Sequence, residues 1–97
     1  MPTDDAINRW LTEHVLGWKL RMAPTPDFLT WEGFGLLLTV IAAAGRFSEV
    51  SFIPAIGAYQ AAVTGPALRV PGVAKDHDPR RALMLAAAKA YGYEEGA

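Results

Sequence analysis

The chain has 97 residues, of which 52% are hydrophobic and 20% are charged, so it is predicted to fold as a single domain covering residues 1–97. It contains no cysteine, which excludes disulfides and thiolate zinc sites. Its formal net charge is -1 and its nine basic residues form no stripe, which disfavours binding to nucleic acid through phosphate contacts.

The chain also shows no sign of export or membrane insertion. Asp4 and Asp5 lie where a secretory signal would be basic. The longest uncharged stretch near the middle, Gly33 to Gly45, is shorter than the roughly 20 residues that a membrane span needs. We therefore expect a cytoplasmic protein.

The first helix is predicted from Thr3 to Leu16, with Thr3 as N-cap and Gly17 as the stop. Apolar residues recur at three- and four-residue spacing and form one face: Ile7, Trp10, Leu11, Val15 and Trp18. His14 lies on the same face. The alternating segment that follows, residues 18–23, is predicted to be a short strand.

The second helix is predicted from Trp31 to Ala44, after a proline-containing break, with Thr30 as N-cap and Gly45 as the stop. It is apolar nearly all round, and such a helix is usually covered on more than one side. Trp31, like Trp10, is therefore predicted to be a core residue.

Two strands are predicted between Glu49 and Val70, with Gly57 near the turn between them and the first strand frayed at Pro54. A turn and a third short strand are predicted within residues 64–70. Residues 71–77 are predicted to form a loop.

The final helix has a strong start and stop. Asp78 is the predicted N-cap, Pro79 occupies the first helical position, and Gly92 ends the helix. One face is predicted to pack against the core, and it consists of Leu83, Ala86, Ala87 and Ala90. Leu85 falls on the opposite side, so we expect a second apolar strip that serves as a partner surface, formed by Leu85, Met84, Ala88 and Tyr93.

Candidate sites for chemistry are weak. Asp76, His77 and Asp78 could contribute to a metal site, but no spaced set of further ligands accompanies them, and the Asp-Pro step favours a helix cap. His14 could act as a general base with Glu13 or Asp76, although no nucleophile motif is present. We predict no catalytic, cofactor-binding or metal-binding residues and no cofactor.

Two further motifs resemble phosphate-binding features. Gly33 and Gly35 lack the third glycine and the preceding strand of a dinucleotide-binding loop, so close packing of the helix against Trp10 or Trp18 is the preferred interpretation. Arg80 and Arg81 could hold a phosphate, but they lie in the first turn of a helix, and two arginines do not make a patch.

Three segments occur in an order that resembles a known family. These are INRWLTEHVLGWKL, PDFLTWEGFGLLL and DPRRALMLAAAKAYG, with Trp10, Gly17, Trp18, Trp31 and Gly35 in place. Together they are similar to the phage ABA sandwich domain family, which consists of small phage and prophage proteins. The resemblance implies an α+β fold, a three-layer α/β/α sandwich in which three helices flank a small antiparallel sheet, and a protein made in the cytoplasm of a bacterial host.

The resulting functional hypothesis is a non-enzymatic protein-binding module that acts on a host or phage protein, with a weak homodimer as a further expectation. The alternative is a nucleic-acid-associated accessory protein, which the net charge disfavours.

Overall fold

The computed structural model describes residues 4–17, 26–66, 68 and 71–93. Their elements follow in the order α1 (Asp4–His14), α2 (Trp31–Ala43), β1 (Phe47–Ile53), β2 (Ala58–Thr64), β3 (Gly72–Asp76) and α3 (Pro79–Tyr91). Three helices and one three-stranded antiparallel sheet make a small α+β domain, which confirms the predicted fold class. The strand predicted at residues 18–23 lies outside the described residues.

The sheet is an antiparallel meander with strand order β1-β2-β3, so that β1 and β3 are its two edges. Val50, Ala61 and Ala74 lie opposite one another across the three strands. Because neighbouring residues of a strand point to opposite faces, this row shares its face with the rows two residues away on either side, which contain Val63 and Tyr59 of β2. The other face carries Phe47 of β1 and Val73 of β3.

The helices lie on the first of these faces. α3 packs against all three strands, α1 packs against α3, and α2 packs against α3 and β1. On the second face Phe47 is 75% exposed and Val73 is 42% exposed, so this face is open to solvent. The described helices therefore form a layer against the sheet, as in an α+β sandwich.

α3 forms the centre of the core because its small residues allow close approach. Ala82, Ala86 and Ala87 are fully buried. Gly72 of β3 lies directly against the Ala86 carbonyl, and a Cβ at position 72 would stand 2.6 Å from the Ala90 nitrogen. A larger side chain at Gly72 would push β3 away from α3.

The predicted starts of α2 and α3 are confirmed. The Gly33 N–H donates to Thr30 Oγ1 at 3.1 Å, and the Arg80 N–H donates to Asp78 Oδ1 at 2.9 Å. α3 ends at Gly92, whose φ of 99° lies in the left-handed region that favours glycine.

The third strand differs from its predicted place. It covers Gly72–Asp76, within the segment predicted to be a loop. Ala67, Arg69 and Val70 of the strand predicted within residues 64–70 lie outside the described residues. Gly72 and Ala74 face α3 and are buried, whereas Val73 and Lys75 are exposed. Buried and exposed residues therefore alternate along β3 as in an ordinary strand. The buried positions hold glycine and alanine, however, and these small residues have little β-propensity.

None of the helices in the described part of the chain has the length and apolar character needed to cross a bilayer.

Candidate functional site

The partner strip predicted on α3 is wrong for two of its four residues. Met84 is fully buried and Ala88 is 3% exposed, so neither contributes to a surface. The reason is that α3 is covered by the sheet, by α1 and by α2. Leu85 is only partly buried, and it packs against the core cluster. A charge introduced at Leu85 would therefore disturb folding as well as any contact.

Tyr93, the fourth residue of that strip, is also partly buried. Its ring meets the Trp10 ring edge to face, with 5.2 Å between the centroids. The segment after α3 thus covers one end of the core. Tyr91 lies beside it, and the Arg46 guanidinium stands 4.7 Å from the centroid of the Tyr91 ring.

The two histidines lie in ordinary structural positions. His14 is exposed, stacks on Trp10 with 4.3 Å between ring centroids, and has Nδ1 2.9 Å from the Trp10 carbonyl oxygen. His77 Nδ1 lies 3.3 Å from the Gly57 carbonyl oxygen. Neither ring contacts a carboxylate in these interactions. Within residues 4–17, 26–66, 68 and 71–93, no group of three acidic or histidine side chains could hold a metal ion.

A network of charges ties the start of α3 to the rest of the fold. Arg81 Nη1 donates to Asp76 Oδ2 at 2.6 Å, and Arg81 Nε donates to Asp4 Oδ1 at 3.1 Å. The hydrogen bond to Asp76, with the nearby charges of Asp4 and Asp76, raises the pKa of Arg81. Asp76 also accepts from the Asp78 N–H at 2.9 Å, so Asp76 holds both the start of α3 and Arg81.

Arg80 belongs to a second pair. Its Nη2 lies 2.8 Å from Asp78 Oδ2, and this hydrogen bond lowers the pKa of Asp78 below its ordinary value. The Arg80 guanidinium also stands 4.6 Å from the centroid of the Trp31 ring. Arg80 and Arg81 are thus both engaged with carboxylates, which leaves the phosphate-holding hypothesis without a free arginine at this helix.

An open pocket of about 310 Å³ lies between α1 and the segment before α2. Its lining residues are Asp4, Asp5, Asn8, Pro26, Asp27 and Leu29. Asp4 pairs with Arg81, and Asp5 pairs with Arg9 at 3.3 Å. Asn8 Nδ2 donates to Asp27 Oδ1 at 3.3 Å, and Asn8 Oδ1 accepts from the Phe28 N–H at 3.1 Å. The polar groups of the pocket therefore hold α1 and the 27–29 turn together.

α2 has an exposed side that includes an aromatic side chain. Of its thirteen residues, only Gly33, Leu37 and Ile41 are buried. Trp31, predicted to be a core residue, is 62% exposed. The exposed positions that accompany it on α2 are Glu32, Thr39, Ala42 and Ala43, and the other five residues are partly buried. α2 thus leaves one side uncovered although it has a single charged side chain, whereas a helix that is apolar all round is usually buried.

Gly33 and Gly35 have different environments. A Cβ on Gly33 would stand 2.6 Å from the Asp27 carbonyl carbon and 2.8 Å from the Phe28 Cα, whereas a Cβ on Gly35 would meet nothing within 4 Å. The predicted close packing is therefore present at Gly33, but its partner is the Asp27–Phe28 backbone and not Trp10. Trp18 lies outside the described residues.

The edge strand β1 lies beside α2 and is also poorly covered. None of its seven residues is buried. Phe47 is 75% exposed at its start and Phe52 is 53% exposed near its end. α2 contacts β1 and no other strand, so it lies at the β1 edge of the sheet, where Phe52 faces the helix side and Phe47 faces the open side. We call α2 and β1 together the α2/β1 surface.

Comparison with known proteins gives this chain no relative. No protein-family model matches it. No curated protein and no solved structure matches it either.

Proposed function

We propose that this chain is a non-enzymatic protein-binding module and that the α2/β1 surface is where its partner binds. The observation that carries the proposal is the exposed side of α2, on which Trp31, Ala42 and Ala43 are exposed and only Glu32 is charged. Exposed apolar surface of this kind marks interaction sites because water contact with it is unfavourable.

Trp31 is the proposed anchor of this surface. Tryptophan is enriched among the residues that dominate binding energy, since one ring buries a large area and loses few rotatable bonds. The Arg80 guanidinium at 4.6 Å holds the ring from one side, so the indole is partly ordered before a partner arrives. The 62% of Trp31 that is exposed remains for the partner.

The proposed partner is a host or phage protein, and the proposed setting is the cytoplasm of a bacterial host. This part of the proposal derives from the resemblance of the Trp10, Trp31 and Gly35 segments to the phage ABA sandwich domain family. The alternative of a nucleic-acid-associated role gains no support from Arg9, Arg80 and Arg81, because each is paired with an aspartate.

Affinity capture tests the proposal. The tagged chain is expressed in phage-infected or lysogenic bacteria, and the proteins retained by the wild type are compared quantitatively with those retained by Trp31→Ala. We expect the partner signal to fall about 30-fold or more, the loss typical of a tryptophan hot spot. Val73→Ala is the matched control, because Val73 is also apolar and exposed but lies on the open face of the sheet at β3. Equal capture by all three forms would contradict the proposal.

A further inference from the structure

We infer that the α2/β1 surface binds a second copy of this chain, through antiparallel pairing of the free edge of β1 with the same edge of the other copy. This inference rests on the proposed function, because it names the protein that the surface binds. The joined sheet would have six strands, with the helices of both copies on one side. Such a twofold contact uses the same surface on each copy, as most homodimers do.

The two edges of the sheet differ in how they are protected. At β3, Lys89 Nζ donates to the Val73 carbonyl oxygen at 3.1 Å, and Lys75 adds a second exposed amine. Lysine side chains at an edge hinder pairing with another strand. At β1, the hydrogen bonds found in the described part of the chain involve residues 47–52 only through the ladder with β2. Among the residues that the structure describes, β1 is therefore the edge without a strand or lysine against it.

The sequence of β1 selects one register for such pairing. The twofold axis must lie midway between the two copies of one residue, and we call this an axis through that residue. An axis midway between two different residues would place the open face of one copy beside the helix side of the other. An axis through Glu49 would oppose two like charges, which is destabilising. An axis through Ser51 would leave Phe47 without a partner.

An axis through Val50 avoids both faults. It pairs all seven residues of β1 and places Phe47 opposite Ile53, Ser48 opposite Phe52, and Glu49 opposite Ser51 of the second copy. The negative charge of Glu49 then faces a neutral hydroxyl. We take this register as the structure of the interface.

The exposed aromatic residues supply about half of the area that a stable dimer needs. Phe47 is 75% exposed, Trp31 62% and Phe52 53%. Aromatic side chains bury about 150–250 Å² each, so the three expose roughly 300–450 Å² per copy. A standard interface buries about 800 Å² per partner, and the rest would come from the paired β1 backbones and the uncovered part of α2. A dimer of modest affinity is expected.

Two variants of opposite charge at position 51, Ser51→Lys and Ser51→Glu, test the inference by sedimentation equilibrium of the full chain. In the Val50 register each dimer contains two contacts between position 51 of one copy and Glu49 of the other. Lysine makes both contacts attractive, and glutamate makes both repulsive. We expect the dimer dissociation constant to fall about 2- to 30-fold for lysine and to rise by a similar factor for glutamate. Val73→Lys and Val73→Glu are the controls, because Val73 is exposed on β3, at the other edge of the sheet. They should leave the dimer unchanged.

Single-cysteine variants test the register itself, since the chain has no other cysteine. A mixture of Glu49→Cys and Ser51→Cys should form disulfide-linked dimers faster than either variant alone. Faster linking of Glu49→Cys with itself would overturn the Val50 register.

The inference is wrong if the wild type and both Ser51 variants sediment as the same monomer at high concentration. In that case, Trp31-dependent capture of another protein would still support the proposed function, so the two failures are distinguishable. Equal dimerisation of both Ser51 variants would also overturn the inference, because it would place the contact away from β1.

Discussion

Gly33 of α2 lies against the backbone of Asp27, and this contact fixes where α2 begins. A Cβ at position 33 would stand 2.6 Å from the Asp27 carbonyl carbon. The same turn supplies the cap, because Thr30 Oγ1 both donates to the Asp27 carbonyl oxygen at 2.7 Å and accepts from the Gly33 N–H. Asp27 also accepts from the Leu29 N–H at 2.9 Å, so the approach to α2 is held by several short bonds.

The two glycines of α2 are expected to respond in opposite ways to alanine. Gly33→Ala should destabilise the fold by about 1–3 kcal/mol, because backbone atoms must move to admit the methyl group. Gly35→Ala should stabilise it by about 0.5–1 kcal/mol, because its Cβ meets open space and alanine favours a helix. Denaturant unfolding measures both. Equal effects at the two positions would place the close contact elsewhere.

Thr30→Ala should lower the free energy of unfolding by about 1 kcal/mol, because it removes the side-chain oxygen that caps α2. Thr39→Ala is the control. Its hydroxyl donates to the Gly35 carbonyl oxygen within α2, where alanine is the better helix former. Urea denaturation should therefore show a lower free energy of unfolding for Thr30→Ala and an unchanged or higher one for Thr39→Ala. A stable Thr30→Ala protein would argue against the cap.

Trp31→Ala should cost less than about 1 kcal/mol, whereas a buried tryptophan would cost roughly 3 or more. The reason is that Trp31 is 62% exposed, and its ring interacts with the Arg80 guanidinium and the Phe34 ring at the surface. Leu37→Ala in the same helix is the buried comparison and should cost about 2–5 kcal/mol. If the same denaturant series gave comparable losses for the two variants, Trp31 would be a core residue and not a contact for a partner.

Stability should fall at low pH through Asp78. The hydrogen bond from Arg80 lowers the pKa of Asp78 in the folded protein. A carboxylate with a lowered folded pKa contributes stability above its unfolded pKa of about 3.9, and this contribution is lost as the pH falls through the folded pKa. Asp78→Asn keeps a capping oxygen without the charge. The wild type should therefore exceed Asp78→Asn in unfolding free energy at pH 7, and the difference should shrink below about pH 4. A difference that is independent of pH would contradict the ion pair.

The caps and periodicity of the chain predicted much of the fold. Thr30, Asp78 and Gly92 act through local backbone geometry, so the starts of α2 and α3 and the end of α3 follow from a few neighbouring residues. β3 was not predictable in this way. Its inward residues Gly72 and Ala74 are small because α3 approaches closely, and this close packing weakens the strand pattern.

The candidate surface could be predicted only in part. The sequence of an apolar helix does not indicate which side of the helix the fold leaves uncovered. The sequence of α2 therefore predicts that Trp31 is buried, whereas Trp31 is exposed in the structure. One signal in the sequence could have indicated the uncovered side of α2. Small residues lie opposite the buried Leu37 and Ile41, and these are Gly35, Ala42 and Ala43. On α3, a pattern with one buried face predicts Met84 and Ala88 at the surface, whereas a central helix is covered from several directions and buries both.

Amide hydrogen exchange of the wild type at low and high protein concentration is the most direct test of the α2/β1 surface. We predict that protection of residues 47–53 and of α2 rises with concentration, while residues 72–76 of β3 and the interior of α3 exchange at unchanged rates. Exchange that is independent of concentration at every position, or added protection confined to β3, would contradict the assignment of this surface.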